Sequence, residues 1–409
     1  MPGQGCHDPC LAAFATGTTT PTEDDDKNVS FLPDDVILEI LSWLPAKSLC
    51  RTGCVSKKWR TLISNPAFVA AHSSRADPLF VAMTRASTGR GGTPRVLLQL
   101  MDTEGNVVRV GEARGWFRSF CLSYDGLACL TFSHECSHNQ LIDLAAAEKL
   151  MTCNSPAEFA GRWVDRCTGV GRGSKSGAPK IFSVVLKSMI TGLYHCMVLT
   201  AGEGDQWRPT QPPPYSISAV YDGYSEAVTF NGCVHFLSLD EDGVLVLCFD
   251  LETEQWKVIQ GPPEVSSHAA GEKISIAELN GSVCVVQKTP NVVCMWLLTD
   301  PSTVTWIKAY TIQMGYKPIH FLMPLRMMHP SGRLLFCHYY DDSTMAPELQ
   351  IYDPRSGGCT HVMNAPTKLI GKIRVCSSHI DPRFCLDKKE GQTSLPLRLW
   401  KYRVNIVLR

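Results

Sequence analysis

The chain lacks net charge, any long apolar run, and the paired cysteines that hold structural metals. Lys plus Arg and Asp plus Glu both total 39 in 409 residues, so the formal net charge is zero. Such a balance supplies no whole-molecule attraction for nucleic acid or an anionic membrane surface, and neither is expected as a partner. No stretch approaches the roughly 18 uninterrupted apolar residues of a membrane span. The first 29 residues hold no positively charged segment followed by an apolar run, so no secretory signal is expected. Their Gly, Thr and Pro content and the acid run Glu23 to Asp26 suit a disordered leader over 1–29. Without a signal, the 18 cysteines point to reduced thiols in the cytosol or nucleus. Cys233, Cys248, Cys284, Cys294 and Cys337 sit in apolar strings, where Cys behaves as a small hydrophobe.

Catalytic and cofactor signatures are equally scarce. His134-Glu135-Cys136-Ser137-His138 spaces two histidines four apart, which on a helix could bind zinc. Here the segment lies between two strand-like runs and reads as a hairpin loop, and no CxxC pair supplies further ligands. Gly169-Val170-Gly171-Arg172-Gly173-Ser174-Lys175-Ser176-Gly177 misses the GxxxxGK[ST] spacing of a phosphate loop, because Ser174 separates the last glycine from Lys175. A flexible basic inter-strand loop is the plainer expectation. With Arg162, Arg166, Arg172, Lys175 and Lys180 nearby, it forms the most obvious positive patch for an acidic target. No Gly-x-Ser-x-Gly elbow or paired-carboxylate pattern stands out. No catalytic residue, metal or cofactor is expected.

What the chain does contain begins at residues 31–72, FLPDDVILEILSWLPAKSLCRTGCVSKKWRTLISNPAFVAAH. Pro33 suits the first position of a helix, and Asp34 and Asp35 meet the positive end of its dipole. Val36, Ile37, Ile40, Leu41 and Leu44 recur at helical spacing as one apolar stripe, with Leu38 and Trp43 off it. Pro45 ends this helix and can open a second bearing Leu49 and Val55. Ser56 can cap a third, which carries Trp59, Leu62 and Ile63. About forty residues rarely bury so much apolar surface alone. One side of the first helix can pack on the others; the second side needs a partner, or the rest of the chain.

The run Leu32-Pro33-Asp34-Asp35-Val36-Ile37-Leu38-Glu39-Ile40-Leu41, then Leu44-Pro45-Ala46-Lys47-Ser48-Leu49, then Val55-Ser56-Lys57-Lys58-Trp59-Arg60, resembles an F-box. Asn65-Pro66-Ala67-Phe68 and His72 extend the likeness to plant members. The resemblance implies docking to a Skp-type adaptor and, through it, to a cullin-based SCF ubiquitin ligase. Leu32, Pro33, Ile37, Leu38, Ile40, Leu41, Leu44, Pro45, Leu49, Val55 and Trp59 match the motif's apolar signature and are the expected adaptor-binding set, although some must serve the motif's own small core. Gly53, inside the second helix, costs about 1 kcal/mol relative to Ala.

Beyond Asp77 the helical stripes stop and a repeat emerges. Asn231-Gly232, Asn280-Gly281 and Ser331-Gly332 each introduce an apolar strand, with the glycines 49 and 51 residues apart. Asp125-Gly126 starts an earlier copy. Asp143, Asp250, Asp300 and Asp353 follow those glycines by 17, 18, 19 and 21 residues, and Trp207, Trp256 and Trp306 are spaced 49 and 50 apart. The interval from Gly126 to Gly232 is 106, so a degenerate copy starting near Gly177 is expected, built of strands and not helix. A period near fifty made of hairpins suits a four-stranded propeller blade, with Asn-Gly and Asp-Gly supplying tight turns. The pattern resembles kelch-like propellers and the F-box-associated domains of plant proteins, although most copies lack the kelch double glycine. Copies near 126, 177, 232, 281, 332 and 382 would give six blades. Residues 78–119 would close the ring or form a seventh blade, and a pair of β-sandwiches is the alternative all-β reading.

The expected organisation is therefore a leader at 1–29, an F-box at 30–77 and a kelch-like β-propeller at 78–409. The expected role is a non-catalytic substrate receptor whose propeller binds a target protein. A propeller that recognises a glycan or small ligand, with exposed aromatics such as Trp163, Tyr215 and Tyr224, is one alternative. A propeller enzyme is another.

Overall fold

The computed structural model describes two helices near the N-terminus and the strands of residues 79–376 with their shorter connections. Residues 1–31, 45–51, 73–78, 87–93, 156–165, 219–226, 266–271, 365–373 and 377–409 are among those outside the description. The helices are α1 (Asp34–Ser42) and α2 (Lys57–Ile63). Pro33 stands just before α1 as its cap residue, one position earlier than the sequence suggested, and its carbonyl accepts the Ile37 N–H at 3.1 Å. Ser56 caps α2 as expected: its hydroxyl oxygen accepts the Trp59 N–H at 3.1 Å.

From Leu79 onward the described structure is all β, in six four-stranded antiparallel sheets. Blade one combines β1 (Leu79–Ala86), β2 (Arg95–Met101) and β3 (Val107–Arg114) with the distant β24 (Arg374–Cys376). Blade two is β4 (Phe117–Leu122), β5 (Leu127–Phe132), β6 (His138–Asp143) and β7 (Glu148–Asn154). Blade three is β8 (Arg166–Arg172), β9 (Pro179–Ser188), β10 (Leu193–Thr200) and β11 (Arg208–Thr210). Blade four is β12 (Val228–Phe230), β13 (Cys233–Asp240), β14 (Gly243–Asp250) and β15 (Trp256–Gln260). Blade five is β16 (Lys273–Leu279), β17 (Ser282–Lys288), β18 (Val292–Asp300) and β19 (Thr305–Gln313). Blade six is β20 (Ile319–Met328), β21 (Arg333–Tyr340), β22 (Glu348–Asp353) and β23 (Gly358–Asn364).

The fold is a six-bladed propeller, as the repeat implied, and the degenerate copy is blade three. The ring is closed by β24, which pairs antiparallel with β1 through Leu79↔Cys376, Phe80↔Val375 and Val81↔Arg374. Blade one is thus assembled from both ends of the domain, and the copy expected near 382 lies outside the described residues.

The sequence markers acquire physical roles. Asn231 and Gly232 have φ of 50° and 72°, the paired positive values of a type I′ hairpin turn. Each late Asp opens the turn between the third and fourth strands. Asp250 Oδ1 accepts the N–H groups of Glu252 and Thr253 at 2.8 and 3.0 Å, and Asp353 Oδ1 accepts that of Arg355 at 2.9 Å. Asp300 repeats the geometry with Ser302 at 2.8 Å, and the hydroxyls of Ser302 and then Thr303 hold its carboxyl down to about 2. Four residues past each Asp the chain turns left-handed, at Glu254 (φ 56°), Val304 (φ 53°) and Gly357 (φ 69°).

A β-branched residue suits that position poorly, at a cost of about 1–2 kcal/mol. Val304 is 37 % exposed and has little packing to lose. Val304→Gly should therefore raise stability by about 1 kcal/mol after glycine's own entropic cost. Urea denaturation checks this; a lower midpoint with unchanged slope would refute it.

The tryptophans tie successive outer strands together. The Nε1–H groups of Trp207, Trp256 and Trp306 donate to the carbonyls of Asn154, Gln211 and Gln260 at 2.8, 3.0 and 2.8 Å. Each partner lies at or just beyond the end of the preceding blade's outer strand. Trp256 also meets Phe182, Phe236 and Phe249 at centroid distances of 5.7, 5.8 and 5.1 Å, an aromatic plug between blades three and four.

Because neighbouring strands are antiparallel, first-to-second and third-to-fourth turns share one face of the ring. Second-to-third turns and the inter-blade connections share the other. The first face carries the Asn-Gly and Asp turns just described.

Candidate functional site

In the N-terminal module, α1 is apolar on two sides, and the structure separates them. Leu41 joins Ile63 and Phe68 in a small core, with Ile37, Leu38, Leu44 and Trp59 partly buried against it. His72 closes this core through a 2.9 Å contact between Nε2 and the Leu44 carbonyl. The other side stays open: Leu32, Val36, Ile40 and Trp43 are 48, 37, 51 and 68 % exposed. Positions 36, 40 and 43 follow i, i+4, i+7, so they form one row. Trp43 is held in that row by donation from Nε1 to Glu39 Oε1 at 3.2 Å. Lys58 pairs with Asp34 at 2.7 Å and links α2 to the first turn of α1.

The expected adaptor-binding set is therefore divided. Leu32, Pro33 and Ile40 lie on the open surface, and Val55 is 71 % exposed. Ile37, Leu38, Leu41, Leu44 and Trp59 line the module's own core, where truncation weakens folding before it can affect a partner. Pro45 and Leu49 fall outside the described residues. The expected single stripe of Val36, Ile37, Ile40, Leu41 and Leu44 is corrected to two, because 37, 41 and 44 turn inward while 36 and 40 turn outward. Val36 and Trp43 belong to the open face although neither was in the expected set. The i, i+4, i+7 spacing links the two, and Trp43 already stood off the first stripe in the sequence.

In the propeller, the segment 166–172 is not a loop. It is β8, the innermost strand of blade three, and Gly169 and Gly171 lie on one side of it. A Cβ on Gly169 would fall 2.8 Å from Val234 Cγ2 and closer still to Cγ1. On Gly171 it would fall 2.8 Å from both Leu251 Cδ1 and Thr229 Cγ2. The glycines let side chains of blade four pack directly on the β8 backbone, so the loop reading is corrected for 169–172, while 173–178 is the turn between β8 and β9 that carries Lys175.

The strand also splits the expected basic patch. Arg166 begins β8 and Arg172 ends it, so they stand about 20 Å apart on opposite faces of the ring. Arg162 and the Arg166 side chain fall outside the described residues. Arg172 Nη2 donates to Asp143 Oδ2 at 2.6 Å, with Asp125 at 3.7 Å, and so ties blade three to blade two. Lys175 is exposed, and its backbone N–H reaches Glu252 Oε2 at 3.3 Å. Of these two, Arg172 is balanced by carboxylates of the adjoining blade.

The turn 251–255 of blade four is latched onto blade three by two carboxylates. Glu252 Oε2 accepts the Ser176 hydroxyl at 2.8 Å and its N–H at 3.1 Å. Glu254 binds both Lys180, at 2.9 Å, and Arg208. The Lys180 and Glu254 side chains are only 9 and 15 % exposed. Hydrogen bonds from Arg208 and then Lys180 hold the Glu254 carboxyl below its usual range.

Glu254→Gln leaves Lys180 poorly compensated and should cost about 2 kcal/mol at neutral pH. This is less than a fully buried pair, because Arg208 is 46 % exposed. A depressed carboxyl contributes stability that is fully present above its unfolded pKa of about 4.3 and lost as pH falls through the folded value. The gap between wild type and variant should therefore close on acidification. A pH-independent gap in denaturation midpoints would refute the assignment.

Of the aromatics named for a ligand face, Tyr215 is 47 % exposed, while Trp163 and Tyr224 are outside the description. Residues 134–137 are also outside it; His138 begins β6 and stacks on Phe132 at 4.9 Å. Among the described residues no group of three or more His, Cys, Asp or Glu could hold a metal ion, and no helix is long and apolar enough to cross a membrane.

A small helical module with an exposed apolar helix face is followed by a six-bladed propeller. Family comparison names both parts: an F-box domain matches residues 29–70 and an F-box associated beta propeller domain matches 179–366. The chain carries both domains, and its relatives are F-box proteins of Arabidopsis thaliana. Blades one and two lie outside the matched propeller segment yet complete the same ring. One Arabidopsis relative is 25 % identical over 247 residues, covering 57 % of this chain and 60 % of its own length. This chain thus spans less than two thirds of that relative. Two Arabidopsis F-box proteins are 25 % and 23 % identical, covering 69 % and 75 % of this chain and 79 % and 75 % of their own. Among solved structures, the Dos1 propeller aligns with a TM-score of 0.37 at 12 % identity over 68 % of each chain. The WD40 domain of SCAP from fission yeast aligns at 0.39 and 12 %, over 72 % of this chain and 74 % of its own.

Proposed function

We propose that this protein is a substrate-recognition subunit of an SCF-type ubiquitin ligase. Its F-box docks a Skp-type adaptor through the open face of α1, and its propeller holds a target protein. The observation that carries this reading is the row Leu32, Val36, Ile40 and Trp43, apolar and exposed on a module already known by its family match. An apolar helix face left open in water is what a helix-recognising partner covers. The cullin scaffold is reached through the adaptor.

The mechanism is proximity. A receptor that holds the target beside the conjugating machinery raises the effective concentration of its lysines without chemistry of its own. No catalytic residue or cofactor is required of the chain in this role. Residues 30–77 act as the docking unit and 78–409 as the display unit, working in the reducing cytosol or nucleus. Of the basic residues considered for target contact, Lys175 is exposed on the tight-turn face and Arg172 is engaged between blades.

The test is co-expression with a Skp-type adaptor. A stable complex is expected from the full chain. A folded, monodisperse chain that forms none would overturn the assignment.

A further inference from the structure

The inner strands of the propeller line a partly open cavity of about 50 Å³ near the axis. Its walls come from four blades, with Leu122, Val228, Ile276, Met323 and Leu325 among them, and Glu278 is the one charged residue lining it. The cavity is bounded on one side by a contact that skips blade three. There Ser123 and Thr229 form a parallel bridge, and the Tyr124 N–H donates to the Thr229 carbonyl at 3.0 Å. Glu278 Oε1 accepts the Gly281 N–H at 2.6 Å, and no described cation pairs with the carboxylate. The residue retains partial solvent exposure, so the site is reachable.

We propose that this axial cavity is a binding site for a primary ammonium group, the tip of a lysine side chain presented by a target peptide. The inference rests on the display role proposed for the propeller and names the chemistry its axis would recognise. A lone carboxylate among apolar walls is costly to ionise unless a cation joins it. Burial accordingly pushes the Glu278 carboxyl up to about 7, and an arriving ammonium would restore the ionised form. Besides Glu278, Tyr124 and Thr229 are the polar residues of the lining. Lysine's ammonium carries three donors and no acceptor, which suits such a lining. The volume, room for about three waters, fits an ammonium with its last methylenes.

The test uses the full chain with methylammonium as probe and tetramethylammonium, which cannot donate a hydrogen bond, as control. Melting temperature is read at equal ionic strength and neutral pH. Methylammonium should raise it and tetramethylammonium should not. Glu278→Gln keeps the acceptor for Gly281 and removes the charge; it should abolish the rise and weaken methylammonium binding about tenfold. Equal responses to the two cations, or a rise that survives in the Gln variant, would overturn the site. The same measurement with Nα-acetyl-lysine methylamide and its arginine counterpart should favour lysine, and a preference for arginine rejects the assignment to a primary ammonium. Adaptor co-purification of the same samples keeps the two readings distinguishable: complex formation without an ammonium response sinks only the axial site.

Discussion

Gly169→Ala should destabilise the propeller by about 3 kcal/mol, an unusually large effect for adding one methyl group. The position has no positive φ to explain its glycine, so the argument is one of space. Val234, whose methyls a new Cβ would overlap, is fully buried on β13 beside Phe236 and Phe249. Neither partner can yield cheaply. β8 is the inner strand of its sheet, and β13 is hydrogen-bonded on both sides, to β12 and to β14. A second substitution separates steric overlap from any intrinsic need for glycine. Val234→Ala alone should cost about 2 kcal/mol through the cavity it leaves, yet in the Gly169→Ala background it should cost only about 1 kcal/mol or less. The coupling expected from a double-mutant cycle is 1–2 kcal/mol, read from urea midpoints. Strictly additive losses would refute the contact.

That glycine stripe shows where the sequence stopped being legible. Gly169-Val170-Gly171 reads as a loop by composition, because the sequence does not reveal that a neighbouring strand occupies the space a side chain would need. The hairpin markers were legible because their causes are local. Asn231-Gly232 sets its own turn, and Asp250 bonds N–H groups two and three residues ahead. The tryptophan spacing announced the blades but not the carbonyl each indole meets, because that partner belongs to the previous repeat. Ring closure was the least visible element. β24 is three residues long and pairs with a strand almost three hundred residues earlier, without a turn motif to betray it. The ion pair of Arg172 was hidden for a related reason: the residue is close to Lys175 in sequence, but its charge is answered by Asp143 from another blade.

Ile40→Ala combined with Trp43→Ala should abolish stable adaptor binding while leaving the F-box folded. Each truncation removes a large exposed side chain from the centre of the open row on α1, a loss of about 2 kcal/mol or more of binding energy per residue at such positions. Because Ile40 is 51 % and Trp43 68 % exposed, their removal in the free chain leaves little cavity. The neighbouring Leu41 provides the opposite case on the same helix. It is 3 % exposed and packs on Ile63 and Phe68, so Leu41→Ala should cost about 2–4 kcal/mol of folding stability and lower binding only as the module melts. Circular dichroism and co-purification with the adaptor, measured on the same samples, separate the two losses. Helical content preserved with binding gone is the result expected for the double variant. Undiminished co-purification of a folded double variant would show that the adaptor reaches the F-box by another surface. The contrast between residues 40 and 41 carries the test, because apolar periodicity alone gave both the same role and only the packing of α1 on α2 tells them apart.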